Sequence, residues 1–164
     1  GADAFDALLN YGLNAVPFGH GTWDALTLEA GTPLFEPELS GRIPNEAGVR
    51  NGLDFEKGCF VGQEVVSRIE NRGHPARRLV GLHPDALPDP GAAVFEAGAS
   101  VGEGTRAGES PIREEPIALA YVDFDAGSDL SVRIEGSEVP AARVDLPFVA
   151  GSEASARLPR YDDA

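Results

Sequence analysis

"PIALAYV", residues 116–122, is the stretch on which the fold turns. Its apolar, β-branched and aromatic side chains between charged neighbours read as a short β-strand. It has company on both sides. "RRLVGL" (77–82), "AAVFE" (92–96), "SVGEGT" (100–105), "LSVRIEG" (130–136) and "VPAARVDL" (139–146) carry the same pattern, punctuated by Gly, Pro and Asp. Five or six such strands in about 70 residues predict a small antiparallel barrel or sandwich.

Upstream of residue 75 the pattern changes. Phe5, Leu8 and Leu9 have helical i, i+3, i+4 spacing, with Gly12 as a C-cap. Thr22 is placed to cap a second helix carrying Trp23, Leu26 and Ala30 and closed by Gly31. Glu29 falls near the end of that helix, where the dipole disfavours a carboxylate; its residue-level reading is a solvated surface acid. "SGRIPNEAGV" (40–49) predicts a loop and then a turn of helix after Pro44. "QEVVSRIENRG" (63–73) predicts a third helix, with Glu64 and Arg68 as an i, i+4 pair and Gly73 and Pro75 at its end. The expected class is α+β: an α/β front part over residues 1–75, a β-barrel over 76–150, and a tail over 151–164.

The chain has 164 residues, enough for one domain or two small ones, and its 42% of hydrophobic residues marks it as globular. Acidic residues number 27 against 13 basic ones, giving a net charge of −14, and all but one of the basic residues are Arg. Such a surface repels nucleic-acid phosphates, so no nucleic-acid partner is expected. Near-absence of Lys beside abundant Asp and Glu suggests halophilic adaptation, because salt screens self-repulsion. No apolar run approaches the roughly 18 residues of a membrane span, and the start lacks the pattern of a signal peptide. A cytoplasmic protein without a membrane partner is the expectation.

Lys57 and Cys59, the only lysine and the only cysteine, stand two residues apart in "EKGCFVGQE" (56–64). One cysteine forms no internal disulfide. As a nucleophile it must be a thiolate, which a nearby ammonium and the N-terminus of the following helix both favour. Gly58 and Gly62 permit sharp turning and close approach of a ligand; Gln63 adds an amide and Glu64 a carboxylate. The residues alone leave two readings open: a reactive or ligand-contacting thiol, and a small buried hydrophobe. His20, His74 and His83 show no metal-ligand spacing.

At this motif the chain resembles a family. "KGCFVGQE" (57–64) is similar to the signature of the YgfZ-type folate-binding proteins, which maintain iron–sulfur enzymes and belong to the superfamily of the glycine cleavage T-protein, the aminomethyltransferase. "WDALTLEAGTPLF" (23–35), "IPNEAGVRNGLDFEKGC" (43–59), "TRAGESPIREEPIALAYV" (105–122) and "VPAARVDLPFV" (139–149) resemble further superfamily segments. The resemblance implies a tetrahydrofolate site in which Glu29 contacts the pterin, accepting paired N–H bonds. It implies Cys59 as the functional thiol, polarised by Lys57 within the loop of Gly58, Gly62, Gln63 and Glu64. Arg68 and Arg77 or Arg78 are candidates for the anionic folate tail, with surface charge pairing as the alternative. T-proteins usually lack the cysteine and the Gln-Glu pair, so the signature sides with the YgfZ type. Members run to roughly double this length, so the chain is expected to be a C-terminal half, with the first half of the folate site in an N-terminal partner segment. Two functions follow: a folate-dependent accessory protein acting on iron–sulfur client proteins, or an aminomethyltransferase passing a one-carbon unit to tetrahydrofolate. A third is a non-catalytic barrel that serves as an interaction module.

Overall fold

The computed structural model describes residues 2–11, 16–49, 52–54 and 56–150. Six strands follow one another in the second half: β1 (Arg77–Pro84), β2 (Ala93–Glu96), β3 (Ala99–Ser110), β4 (Glu115–Asp123), β5 (Ser131–Ile134) and β6 (Ser137–Val144). They pair antiparallel in the order β1-β4-β3-β2-β5-β6, and β6 pairs back onto β1 to close a barrel. Each of the six strand-like stretches forms a strand. β3 runs further than its sequence suggests, since its register with β4 continues from Gly102↔Val122 to Ser110↔Glu115. A bulge between Gly104 and Arg106 absorbs the extra residue.

β4 is apolar along its length because both of its faces are buried. Ala118, Ala120 and Val122 join Val80, Leu82, Val94, Val132 and Ala141 in one core cluster. The alternate residues Ile117, Leu119 and Tyr121 pack on the other side with Leu79, Leu28, Ala47 and Phe148. The small residues suit the narrow interior of a small barrel. The large ones cover its outer wall, and each full burial of a Leu- or Ile-sized side chain is worth about 1.5–3 kcal/mol. Gly102 lets β3 and β4 come close: a Cβ there would lie 2.1 Å from the Tyr121 carbonyl oxygen.

Ahead of the barrel stand α1 (Ala2–Tyr11), α2 (His20–Glu29), a π-helical turn (Phe35–Leu39), α3 (Pro44–Ala47) and α4 (Gln63–Arg72). Among the described residues no strand precedes β1, so the expected α/β front part is corrected to a helical one. The apolar residues there recur at helical intervals, and no β-branched run is long enough for a strand. α2 begins two residues before Thr22, behind an extended Gly19, so Thr22 is not its cap. Gly31 does turn the chain after α2, with φ +63°. The proposed C-cap Gly12, Arg50, Asn51 and Phe55 of the motif approach, and the tail 151–164 lie outside the described residues.

A buried ionic network joins the helices to the barrel wall. Arg106 on β3 donates to Thr27 Oγ1 and to the Thr32 carbonyl oxygen, both at 2.8 Å, and to Glu38 Oε1 at 3.3 Å. Glu38 is fully buried, and its Oε2 accepts from the Leu34 amide at 2.7 Å. A buried carboxylate is tolerated only when it is paired and hydrogen-bonded in this way. The Tyr121 hydroxyl donates to the Glu38 carbonyl oxygen at 2.9 Å. Burial pushes the Tyr121 phenol well up, against the lowering effect of Arg42, and Glu46 and Glu38 add to the rise. The phenol therefore stays a donor.

Candidate functional site

The motif loop is an extension of α4. Gly62, at φ +88°, is the residue before the helix, a conformation that favours glycine. Asp54 Oδ1 accepts the amides of Glu56 and Lys57, at 2.9 and 3.2 Å, and so turns the chain into the motif. Gln63 Oε1 accepts the Phe60 amide at 3.2 Å, which folds the loop back onto the first turn of α4. Inside this frame is a cleft of about 250 Å³, lined by Gly52, Leu53, Asp54, Lys57, Phe60, Gln63, Val66 and Ser67.

Cys59 is exposed, so it is not the small buried hydrophobe of the second reading. It lies between two residues of the cleft wall, Lys57 and Phe60, without lining the cleft itself. The Lys57 ammonium sits 4.7 Å from the centre of the Phe60 ring, a cation–π contact. Gly58 and Glu64 are exposed, Glu64 in the first turn of α4, where a carboxylate suits the helix dipole. Arg68 is exposed one turn further on. Arg77 stands on β1 beside acids, 3.7 Å from Asp123 and 4.0 Å from Glu103, which fits the charge-pairing alternative. Arg78 stacks over Phe124 at 4.8 Å.

Glu29 is not the solvated acid of the residue-level reading. It is the last residue of α2 and only 3% exposed. Its Oε1 accepts the Ser110 hydroxyl at 2.5 Å and the Ile112 amide at 3.0 Å. Its carbonyl oxygen accepts the Phe148 amide at 2.9 Å, and the carbonyl of Phe148 in turn accepts from Arg113. The end of α2, the β3–β4 turn and the segment after β6 thus meet at one residue, the turn at its carboxylate and the segment at its main-chain carbonyl. The cleft at the motif gathers Lys57 and Gln63; Glu29, Glu64, Arg68 and Arg77 are not among its lining residues. Sequence reasoning did not single out Ser110 or the Glu38–Arg106 pair. Ser110 lies inside the "TRAGESP" segment of the resemblance, the one signal that pointed toward it. Among the described residues no three His, Cys, Asp or Glu side chains converge as metal ligands, and no helix is long and apolar enough to cross a membrane.

Comparison with known proteins bears on this arrangement. Residues 77–150 match the family described as the glycine cleavage T-protein C-terminal barrel domain. An aminomethyltransferase of Symbiobacterium thermophilum is 36% identical over 156 residues, covering 90% of this chain and 41% of the relative. One of Streptomyces coelicolor is 38% identical over 143 residues, covering 81% of this chain and 38% of the relative. The crystal structure of glycine cleavage system aminomethyltransferase T from Bartonella henselae superposes with a TM-score of 0.74 at 26% identity, over 90% of this chain and 43% of that one. The chain therefore spans about two fifths of the length of the curated relatives it matches. Their names favour the aminomethyltransferase reading over the YgfZ-type one that the signature suggested. Residues 77–150 thus match the glycine cleavage T-protein C-terminal barrel domain, and the chain as a whole is similar to the C-terminal part of the aminomethyltransferase superfamily.

Proposed function

We propose that the chain provides the C-terminal part of a tetrahydrofolate-dependent aminomethyltransferase, with residues 1–75 completing a folate-binding domain and the barrel braced against them. The observation that carries this reading is the extent of the similarity. An alignment at 36% identity to an aminomethyltransferase covers 90% of the chain, more than the barrel alone. Glu29 would hold the pterin: it is an acid at the meeting point of three segments, with acceptor capacity beyond its two internal bonds. Tetrahydrofolate would supply the acceptor for the one-carbon unit. An N-terminal partner segment, of the order of the relatives' remaining length, would contribute the rest of the site.

The test is calorimetric titration of tetrahydrofolate, together with an aminomethyl-transfer assay using a lipoyl carrier protein. Both are to be run on the polypeptide encoded by the whole reading frame and on residues 1–164 alone. Binding and transfer are expected in the former, and weak binding in the latter. Failure of the former to bind would remove the reading.

One observation favours a second reading. The exposed thiol of Cys59, inside "KGCFVGQE", suits a YgfZ-type role toward iron–sulfur client proteins. Here Cys59→Ala is expected to lower iron–sulfur enzyme activity in cells while sparing folate binding. Unchanged activity of those enzymes would dismiss it.

A further inference from the structure

Glu29 has two oxygens, and the fold treats them differently. A carboxylate oxygen has two in-plane lone pairs. On Oε1 both are taken, one by the Ser110 hydroxyl at 2.5 Å and one by the Ile112 amide at 3.0 Å. Among the described residues no donor reaches Oε2. The two donors come from the end of β3 and from the β3–β4 turn, and Ser110 is itself only 1% exposed. The hydroxyl also accepts the Arg113 amide at 3.1 Å, which sets the direction of its own proton toward Glu29. A short hydrogen bond to an ionised oxygen, made by a hydroxyl that a second bond orients, fixes the rotation of the carboxylate about its last torsion.

We infer that Ser110 is a positioning residue which, with the Ile112 amide, saturates Oε1 of Glu29, so that Glu29 meets a ligand through Oε2 alone. The inference rests on the folate reading of Glu29 and changes its geometry. The paired contact expected from the sequence, one N–H to each oxygen, would require Oε1 to give up Ser110 or Ile112. With those bonds intact, the pterin edge is read by one oxygen held at a fixed angle, and the selectivity of the contact depends on a residue that does not touch the ligand.

The test is a double-mutant cycle on tetrahydrofolate affinity, measured by calorimetry in the polypeptide encoded by the whole reading frame, with Ser110→Ala, Glu29→Gln and the pair. Ser110→Ala is expected to weaken binding about tenfold, the scale of one charge-assisted hydrogen bond. Ser110→Thr, which keeps the hydroxyl, should restore most of the affinity. In the Glu29→Gln background Ser110→Ala should have almost no further effect, because the oxygen it positions has been replaced. Thermal unfolding of each variant confirms that it is folded; Glu29→Gln keeps an acceptor at Oε1 and with it the internal bonds. A Ser110→Ala effect of the same size in both backgrounds would mean a purely structural role and would overturn the inference while leaving the folate reading standing. Absence of binding by the unmutated polypeptide would overturn the folate reading and this inference with it.

Discussion

At the scale of single residues, exposure and distant partners decide chemistry. Cys59 is exposed, so iodoacetamide is expected to modify it in the native protein at a rate comparable to that in urea. A native rate lower by about a hundredfold would show a shielded thiol. The sequence left this open because exposure depends on how the loop leaves α4, not on the identities of its neighbours. Glu29 was misread at residue level for the same reason: its donors come from Ser110 and Ile112, more than eighty positions away, and nothing near residue 29 announces them. Arg106 is the counterpart inside the junction. Arg106→Met leaves Glu38 buried without its cation and is expected to cost about 3–5 kcal/mol in urea unfolding. Tyr121 gives a pH signature. Its phenol is raised above the ordinary value near 10, so the native state holds that proton longer than the unfolded chain does. The stabilisation is complete below about pH 10 and is lost as pH rises beyond it. Tyr121→Phe should therefore flatten the alkaline fall in unfolding free energy, and an unchanged slope would contradict the assignment.

Elements were more legible than residues. The six strands could be read because β-branched and aromatic runs are set off by Gly, Pro and Asp, and that local signal coincides with burial in the barrel. α3 after Pro44 and α4 from Gln63 were equally readable from their start and stop residues. The start of α2 was not, since its preceding residue is Gly19, which offers no side-chain cap. The far end of β3 was also missed: "RAGES" has few strand formers and is extended only because β4 pairs with it. The β3–β4 pair supplies its own test. Gly102→Ala would drive a methyl into the Tyr121 carbonyl and the Val122 backbone. Because backbone rather than a flexible side chain must yield, a loss of about 1–3 kcal/mol is expected, measured from the shift in the denaturation midpoint. Gly98 and Gly136, in open turns, provide the comparison sites.

For the molecule as a whole, charge is the dominant condition. A net −14 on 164 residues is self-repelling at low ionic strength. The screening length falls from about 30 Å at 0.01 M salt to about 3 Å at 1 M. The thermal midpoint is therefore expected to rise across that range in KCl; a flat or falling midpoint would show that the ion pairs of Arg42 with Glu103, Arg113 with Glu115 and Arg133 with Glu138 outweigh the repulsion. The barrel was legible at this scale as one of two architectures, and the choice between barrel and sandwich came only from the pairing of β6 with β1. That closure has a consequence for association. Each of the six strands has a strand neighbour on both sides, so the ring has no edge strand for another polypeptide to extend. A partner that meets the barrel is therefore expected to be recognised by side chains, and among the described residues no edge strand stands ready as a template for fibrous growth.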